Sequence, residues 1–177
     1  MLLSPTIMTA DGLVREYRPD DAPAVRSCIV ALQDYERQID PRLRPGALMA
    51  DEYLAQTLAR CQDFGGRIFI CESAGVVAGF ITVLTRMPFL ELDDPPGEYA
   101  LVTDLVILER FRGRGFGRAL LDAAERYARD EGAHELRIGV LSANDTARRL
   151  YFAAGFQSHA EILTKRFDRD DSAPGRS

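Results

Sequence analysis

The chain has 177 residues, 46% of them hydrophobic and 28% charged, with a formal net charge of −5. That size and balance fit one globular domain with a buried core and exclude a fibrous or low-complexity chain. No apolar run reaches the ~18 residues that a bilayer span needs, and the acidic balance argues against nucleic acid as main partner.

Charge is unevenly placed. Residues 1–100 carry 9 basic and 15 acidic side chains, and residues 101–177 carry 13 and 12. The start, MLLSPTIMTADG, lacks a basic leader with a long apolar core, so a secretory signal is not expected and a cytoplasmic location is. Residues 1–11 read as an extension, dispensable up to a second start at Met8. Cys28, Cys61 and Cys71 are odd in number and form no CxxC, and His134 and His159 are the imidazoles. Reduced, mostly buried thiols are expected, with neither a disulfide framework nor a metal site.

In chain order, Gly12–Arg18 reads as a strand ended by Pro19-Asp20-Asp21. Val25, Cys28, Ile29 and Leu32 then recur at helical spacing. A loop from Asp40 to Gly46 leads to a second helix over Asp51–Gln62, with Tyr53, Leu54, Leu58 and Cys61 on its apolar side. Arg67–Glu72 and Val76–Thr85 flank Ser73-Ala74-Gly75 as a hairpin. Met87–Gly97 is a loop, and Tyr99–Leu108 the longest strand. From Phe116, apolar residues at i, i+3, i+4, i+7 and i+8 predict a helix stopped at Gly132, with Asp122–Arg126 and Glu125–Arg129 as exposed ion pairs. A strand over Glu135–Leu141 follows, then a short helix capped by Asn144 and one or two closing strands over Phe156–Phe167. Residues 168–177 are polar and expected to be disordered. The order predicts one α/β domain, residues 12–167, with a mixed sheet.

The stretch Asp104–Ala119, DLVILERFRGRGFGRA, carries the strongest functional signal. An apolar strand enters a glycine-rich, arginine-bearing turn and then a helix N-terminus, where unpaired N–H groups and the helix dipole favour an anion. The glycines are spaced G-x-G-x-G rather than G-x-G-x-x-G, and no G-x-x-x-x-G-K-[ST] occurs, since Lys165 is the sole lysine. Dinucleotides and nucleoside triphosphates are therefore disfavoured.

Arg112-x-x-Gly115-x-Gly117 after an apolar strand, followed by Asn144-x-x-Ala147-x-x-x-Tyr151 and Gly155-Phe156, resembles the GNAT superfamily, the Gcn-related N-acetyltransferases. The resemblance spans roughly Gly12 to Phe167. It implies a mixed, mostly antiparallel central sheet of six to seven strands flanked by about four helices. It also implies acetyl-CoA as co-substrate, with the backbone of Arg112, Gly113, Arg114, Gly115, Phe116, Gly117 and Arg118 holding the pyrophosphate. The edge of Val106, Ile107 and Leu108 would pair with pantetheine, beside a strand over Arg137–Leu141 that splays away.

By the same resemblance, Tyr151 would protonate the departing thiolate, and Asn144 would touch the pantetheine or simply cap its helix. A backbone N–H near Val106 would stabilise the oxyanion. Asp104 is the candidate base, with Glu98 as second choice. Strand alternation puts Thr103 and Asp104 on opposite faces, so that one of them faces the slot. Tyr35, Glu36, Asp93 and Asp94 are candidate contacts for a cationic amine, whereas Arg42-Leu43-Arg44 would suit an acidic acceptor. The expected partners are acetyl-CoA and a primary amine, preferably of a small molecule, without nucleic acid or membrane; a homodimer is compatible with the fold. Two alternatives stand beside this reading: a non-catalytic acyl-CoA-binding regulatory module, and acetylation of a protein N-terminus or lysine.

Overall fold

A computed structural model of the chain describes residues 7–9, 12–89, 93 and 95–165. Six strands form one sheet in sequence order: β1 (Ile7–Thr9), β2 (Gly12–Glu16), β3 (Arg67–Ser73), β4 (Val76–Pro88), β5 (Glu98–Ile107) and β6 (Leu136–Ile138). Neighbours are antiparallel except β5 and β6, which run parallel because a helical crossover joins them. Four helices accompany the sheet: α1 (Ala22–Ile39), α2 (Ala50–Asp63), α3 (Phe116–Asp130) and α4 (Asp145–Ala153). Among the described residues no helix is long and apolar enough to cross a membrane.

Helices cover both faces of the sheet, and the strand pattern shows why. The run Ile68-Phe69-Ile70-Cys71 is apolar at every position, as a strand buried on two sides must be. Ile68 and Ile70 join Phe80 and Val106 against Val25, Cys28 and Ile29 of α1 and Leu54 of α2. Phe69 and Cys71 point the other way and join Ile81, Val83 and Val102 against Phe116, Leu120 and Ala124 of α3 and Tyr151 of α4. Each fully buried Phe, Leu or Ile in these two layers contributes about 1.5–3 kcal/mol.

The start of α1 is tied to the sheet by charge. Arg15 of β2 bonds Asp21 at 2.8 Å and Glu72 of β3 at 2.9 Å, and Asp21 also accepts the Arg18 backbone N–H. The Arg15 guanidinium holds the Asp21 carboxyl below the usual carboxylate range.

Several expectations are corrected. Residues 7–9, assigned to an extension, pair with β2 as an edge strand; the rest of residues 1–11 lies outside the described residues. The sheet has six strands with the three-residue edge β1 and five without it, against the predicted six to seven. No strand forms over residues 156–165, where Ile162 and Leu163 are 93% and 85% exposed, and β6 pairs with β5 through Ala100, Leu101 and Val102 alone. Asp122 pairs with Arg118 rather than Arg126, while Glu125–Arg129 forms as expected. The expected tail over residues 168–177 lies outside the described residues.

Candidate active site

The glycine-rich turn keeps its backbone donors free. Leu108 ends the strand, a short 3₁₀ turn covers Glu109–Phe111, and the αL residue Gly115 (φ 80°) starts α3. Gly113 is also left-handed (φ 76°), and a Cβ on either glycine would meet nothing within 4 Å. The chain thus turns through two positions that L side chains rarely adopt, with open space beside both. Phe111 and Arg112 donate their N–H groups to Leu108 and Glu109, and Ala119 donates to Gly115. Between them, the N–H groups of residues 113–118 have no acceptor among the described residues. Buried Phe116 anchors this rim in the core, packed edge-on to Phe111 at 6.5 Å.

The side chains around the turn divide in role. Arg112 and Arg114 are exposed and form no ion pair among the described residues, leaving their charge for an anion. Arg118 is committed to Asp122 at 2.7 Å and to the Ala153 carbonyl at 2.9 Å. Gly117 serves packing: an added Cβ would stand 3.0 Å from the Leu150 side chain, so the missing side chain lets α3 and α4 approach.

Beside the turn, β5 has an open edge. Pairing with β6 stops at Val102–Ile138, and the chain after Ile138 leaves the sheet, as expected for the splayed strand. Leu108 donates to Ala78 on the β4 side, and by alternation Val106 does likewise, so the N–H groups of Leu105 and Ile107 face the open edge. Of Val106, Ile107 and Leu108, Ile107 therefore presents its backbone there, and its carbonyl already accepts Arg112 Nε at 3.1 Å. Of the N–H groups near Val106, where an oxyanion donor is expected, those of Leu105 and Ile107 face the open edge.

The splay opens a cavity of about 70 Å³ lined by Leu32 and Glu36 of α1, Thr103, Asp104 and Leu105 of β5, residues 138–141, and Asn144, Ala147 and Tyr151. A larger open hollow of about 460 Å³, lined by Asp34, Arg37, Gln38, Pro45 and Ala47, contains none of the predicted catalytic or cofactor-binding residues. Thr103 and Asp104 both line the smaller cavity. The pairing of Thr82 with Asp104 and Val83 with Val102 makes Thr103 the extra residue of a β-bulge, which cancels the alternation assumed from sequence.

Asp104 is 3% exposed and accepts two hydroxyls: Tyr53 to Oδ1 at 2.6 Å and Thr103 to Oδ2 at 2.7 Å. By its spacing Tyr53 belongs to the apolar side of α2. Its position there gives no sign that the phenol reaches a carboxylate 51 residues away. Burial and the Asp104 charge push the Tyr53 phenol well above its ordinary pKa. Tyr151 is 9% exposed, and burial first, then Glu36, raises its pKa to about 12, so it holds its proton at neutral pH. Asn144 caps α4 through Ala147 N at 3.2 Å and also lies within 3.4 Å of the Tyr35 hydroxyl, at the cavity wall.

The other candidate contacts are less close to the site. Glu98 and Asp93 are exposed and absent from the cavity lining, and Asp94 lies outside the described residues. Arg42 is paired with Asp40 and Arg44 bonds the Leu48 carbonyl, so this loop offers little free charge to an acidic acceptor. The thiols of Cys28, Cys61 and Cys71 are free, and each is raised in pKa chiefly by burial. Among the described residues no three His, Cys, Asp or Glu side chains are grouped to hold a metal ion.

Residues 30–156 match the profile of the Acetyltransferase (GNAT) family. Uncharacterized N-acetyltransferase YycN of Bacillus subtilis (strain 168) is 34% identical over 71 residues, covering 40% of this chain and less than half, 46%, of that protein. Aminoglycoside N(6')-acetyltransferase type 1 of Stenotrophomonas maltophilia is 28% identical over 153 residues, 86% of this chain and 97% of that protein. Among solved structures, AAC(6')-Iy in complex with the bisubstrate analog CoA-S-monomethyl-acetylneamine aligns with a TM-score of 0.64 at 20% identity, covering 88% of this chain and 97% of that chain. The family profile covers more than half of the sequence and both motif regions, and on that ground the chain belongs to the GNAT family of acetyltransferases.

Proposed function

We propose that the protein transfers the acetyl group of acetyl-CoA directly to a primary amine of a small molecule. The observation that carries this reading is the continuous row of unsatisfied N–H groups from Gly113 to Arg118, opening beside the free edge of β5 and the Tyr151 cavity. A row of converging amides at a helix start suits a diphosphate, with Arg112 and Arg114 adding positive charge. From there a pantetheine arm would follow the β5 edge, bonding one of the Ile107 and Leu105 N–H groups, and deliver its thioester to the cavity. The relatives named as aminoglycoside acetyltransferases, at low identity, favour a small-molecule acceptor.

The reaction asks three things of the cavity. A neutral amine must reach the thioester carbonyl, the oxyanion must meet a donor, and the thiolate must gain a proton. The free N–H of Leu105 or Ile107 serves the oxyanion. Tyr151, protonated across the physiological range, serves the thiolate. Asp104 supplies fixed negative charge that draws an ammonium group into the slot. A panel of primary amines scored for acetyl-CoA-dependent thiol release tests the proposal. Turnover of small amines supports it, and binding of acetyl-CoA without turnover of any amine, peptide or protein acceptor would identify a regulatory module instead.

A further inference from the structure

The Asp104 carboxylate is buried, and each of its oxygens already accepts a hydroxyl, from Tyr53 and from Thr103. Both carboxylate oxygens are thus engaged and held in place by donors at hydrogen-bond distance. Across the same cavity stands Glu36 of α1, whose carboxylate has no hydrogen bond or ion pair among the described residues. It is half-buried and shares the lining with Asp104 and Tyr151.

We propose that Glu36 and Asp104 together seat the ammonium group of the acceptor, with Glu36 as the carboxylate that takes its proton and Tyr53 and Thr103 as positioning residues that fix the orientation of Asp104. This rests on the acetyltransferase reading and names the acceptor class for it. The cavity has room for about two water-sized groups, enough for an ammonium and the carbon that bears it. Two carboxylates attract that cation and repel a third carboxylate on the same carbon. The acceptor is therefore a terminal amine on an uncharged carbon, such as an aminomethyl group or an amino sugar, and not the α-amine of an amino acid.

The groups facing Glu36 are Asp104 and Thr103 of β5, Tyr53 of α2, and Tyr151 and Asn144 of the α4 side. No cation stands among them. Burial first, and then Asp104, raise the pKa of Glu36, which brings the carboxylate closer in basicity to the amine it must deprotonate. The protons balance. One N–H proton passes from the ammonium to Glu36, and the neutral nitrogen forms its bond to the thioester carbonyl carbon. The C–S bond then breaks as sulfur takes the Tyr151 proton. The second proton lost from nitrogen restores Tyr151, and Glu36 releases its own to solvent.

The test is a ¹³C-carboxyl titration of the full chain labelled at glutamate, with the Glu36 signal identified by its loss in Glu36→Gln. Glu36 is expected to titrate above the ordinary ~4.3, and Asp104→Asn should move its midpoint down. Ethanolamine should lower the midpoint in the parent, whereas glycine, with the same ammonium beside a carboxylate, should not. With any amine that turns over, Glu36→Gln should lose ~10²-fold in kcat/KM together with the acid limb of its pH profile, while acetyl-CoA still raises its melting temperature. An ordinary midpoint insensitive to Asp104→Asn, an equal response to glycine, or an acid limb retained in Glu36→Gln would overturn the proposal. Loss of the acetyl-CoA response in the parent would instead overturn the acetyltransferase reading, and the titration decides the Glu36 assignment even if no amine is turned over.

Discussion

The two ends of the slot are built from different materials. The turn at Gly113–Arg118 is one contiguous stretch whose functional groups are backbone amides, left free by the helix start and two left-handed glycines. The acceptor end is assembled from side chains of α1, α2, β5 and α4, brought together by the fold and by one β-bulge. A backbone site survives any substitution that keeps the turn open, whereas a side-chain site depends on each group separately. The ends should accordingly fail differently when mutated.

The largest effect is expected at the turn. Gly115→Glu puts a β-carbon at φ 80°, costing about 1–2 kcal/mol of strain, and adds negative charge where the diphosphate would lie. Acetyl-CoA affinity should fall at least ~100-fold by calorimetry, because the repulsive charge acts on every phosphate contact. A variant that binds normally would show that the ligand does not approach this backbone.

Tyr151→Phe should separate the two ends. Removing the proton donor should lower kcat by ~10²-fold while leaving acetyl-CoA affinity within about twofold, since the phenol lies in the cavity and not at the turn. Equal loss of both would make Tyr151 a binding group.

Tyr53→Phe should have a moderate effect of about 1–2 kcal/mol on stability, because it leaves buried Asp104 with one hydroxyl donor fewer. Its kinetic signature should be an altered pH profile with unchanged acetyl-CoA affinity. If denaturation midpoint and pH profile are both unmoved, the bond does not position Asp104.

The smallest effect concerns Glu36 and runs toward greater stability. Its pKa is raised in the folded protein, so the native state is penalised once the carboxylate ionises. Glu36→Gln should therefore be slightly more stable than the parent. The gain should be largest above the folded pKa of Glu36 and vanish as pH falls into the ordinary carboxylate range. Thermal unfolding at two pH values checks the sign, and a gain that grows on acidification would contradict the placement of Glu36 beside Asp104.

The same contrast explains what could be read from the sequence. The turn was legible because its spacing of Arg112, Gly115 and Gly117 encodes local backbone geometry, and α3 because its apolar period repeats over four turns. Asp104 was legible as a candidate through its place on the strand, but not its partners. Tyr53 looked like one more apolar position of an amphipathic helix, and a bulge at Thr103 leaves no mark in an alternating strand. Of the closing strands predicted over residues 156–167, none forms over the described residues 156–165, for a related reason. Alternation can suggest a strand, but a ladder needs an edge long enough to receive it, and β6 has three residues.

The central claim is that acetyl-CoA docks on the free amides of the turn, and a thermal shift measurement tests it most directly. At a ligand concentration 100-fold above Kd, binding should stabilise the native state by about 2.7 kcal/mol, a rise of about 5–10 °C in Tm. The account predicts that rise in the parent protein and a rise of at most about 2 °C in Gly115→Glu; an unmoved Tm in the parent, or an equal rise in both, would contradict it.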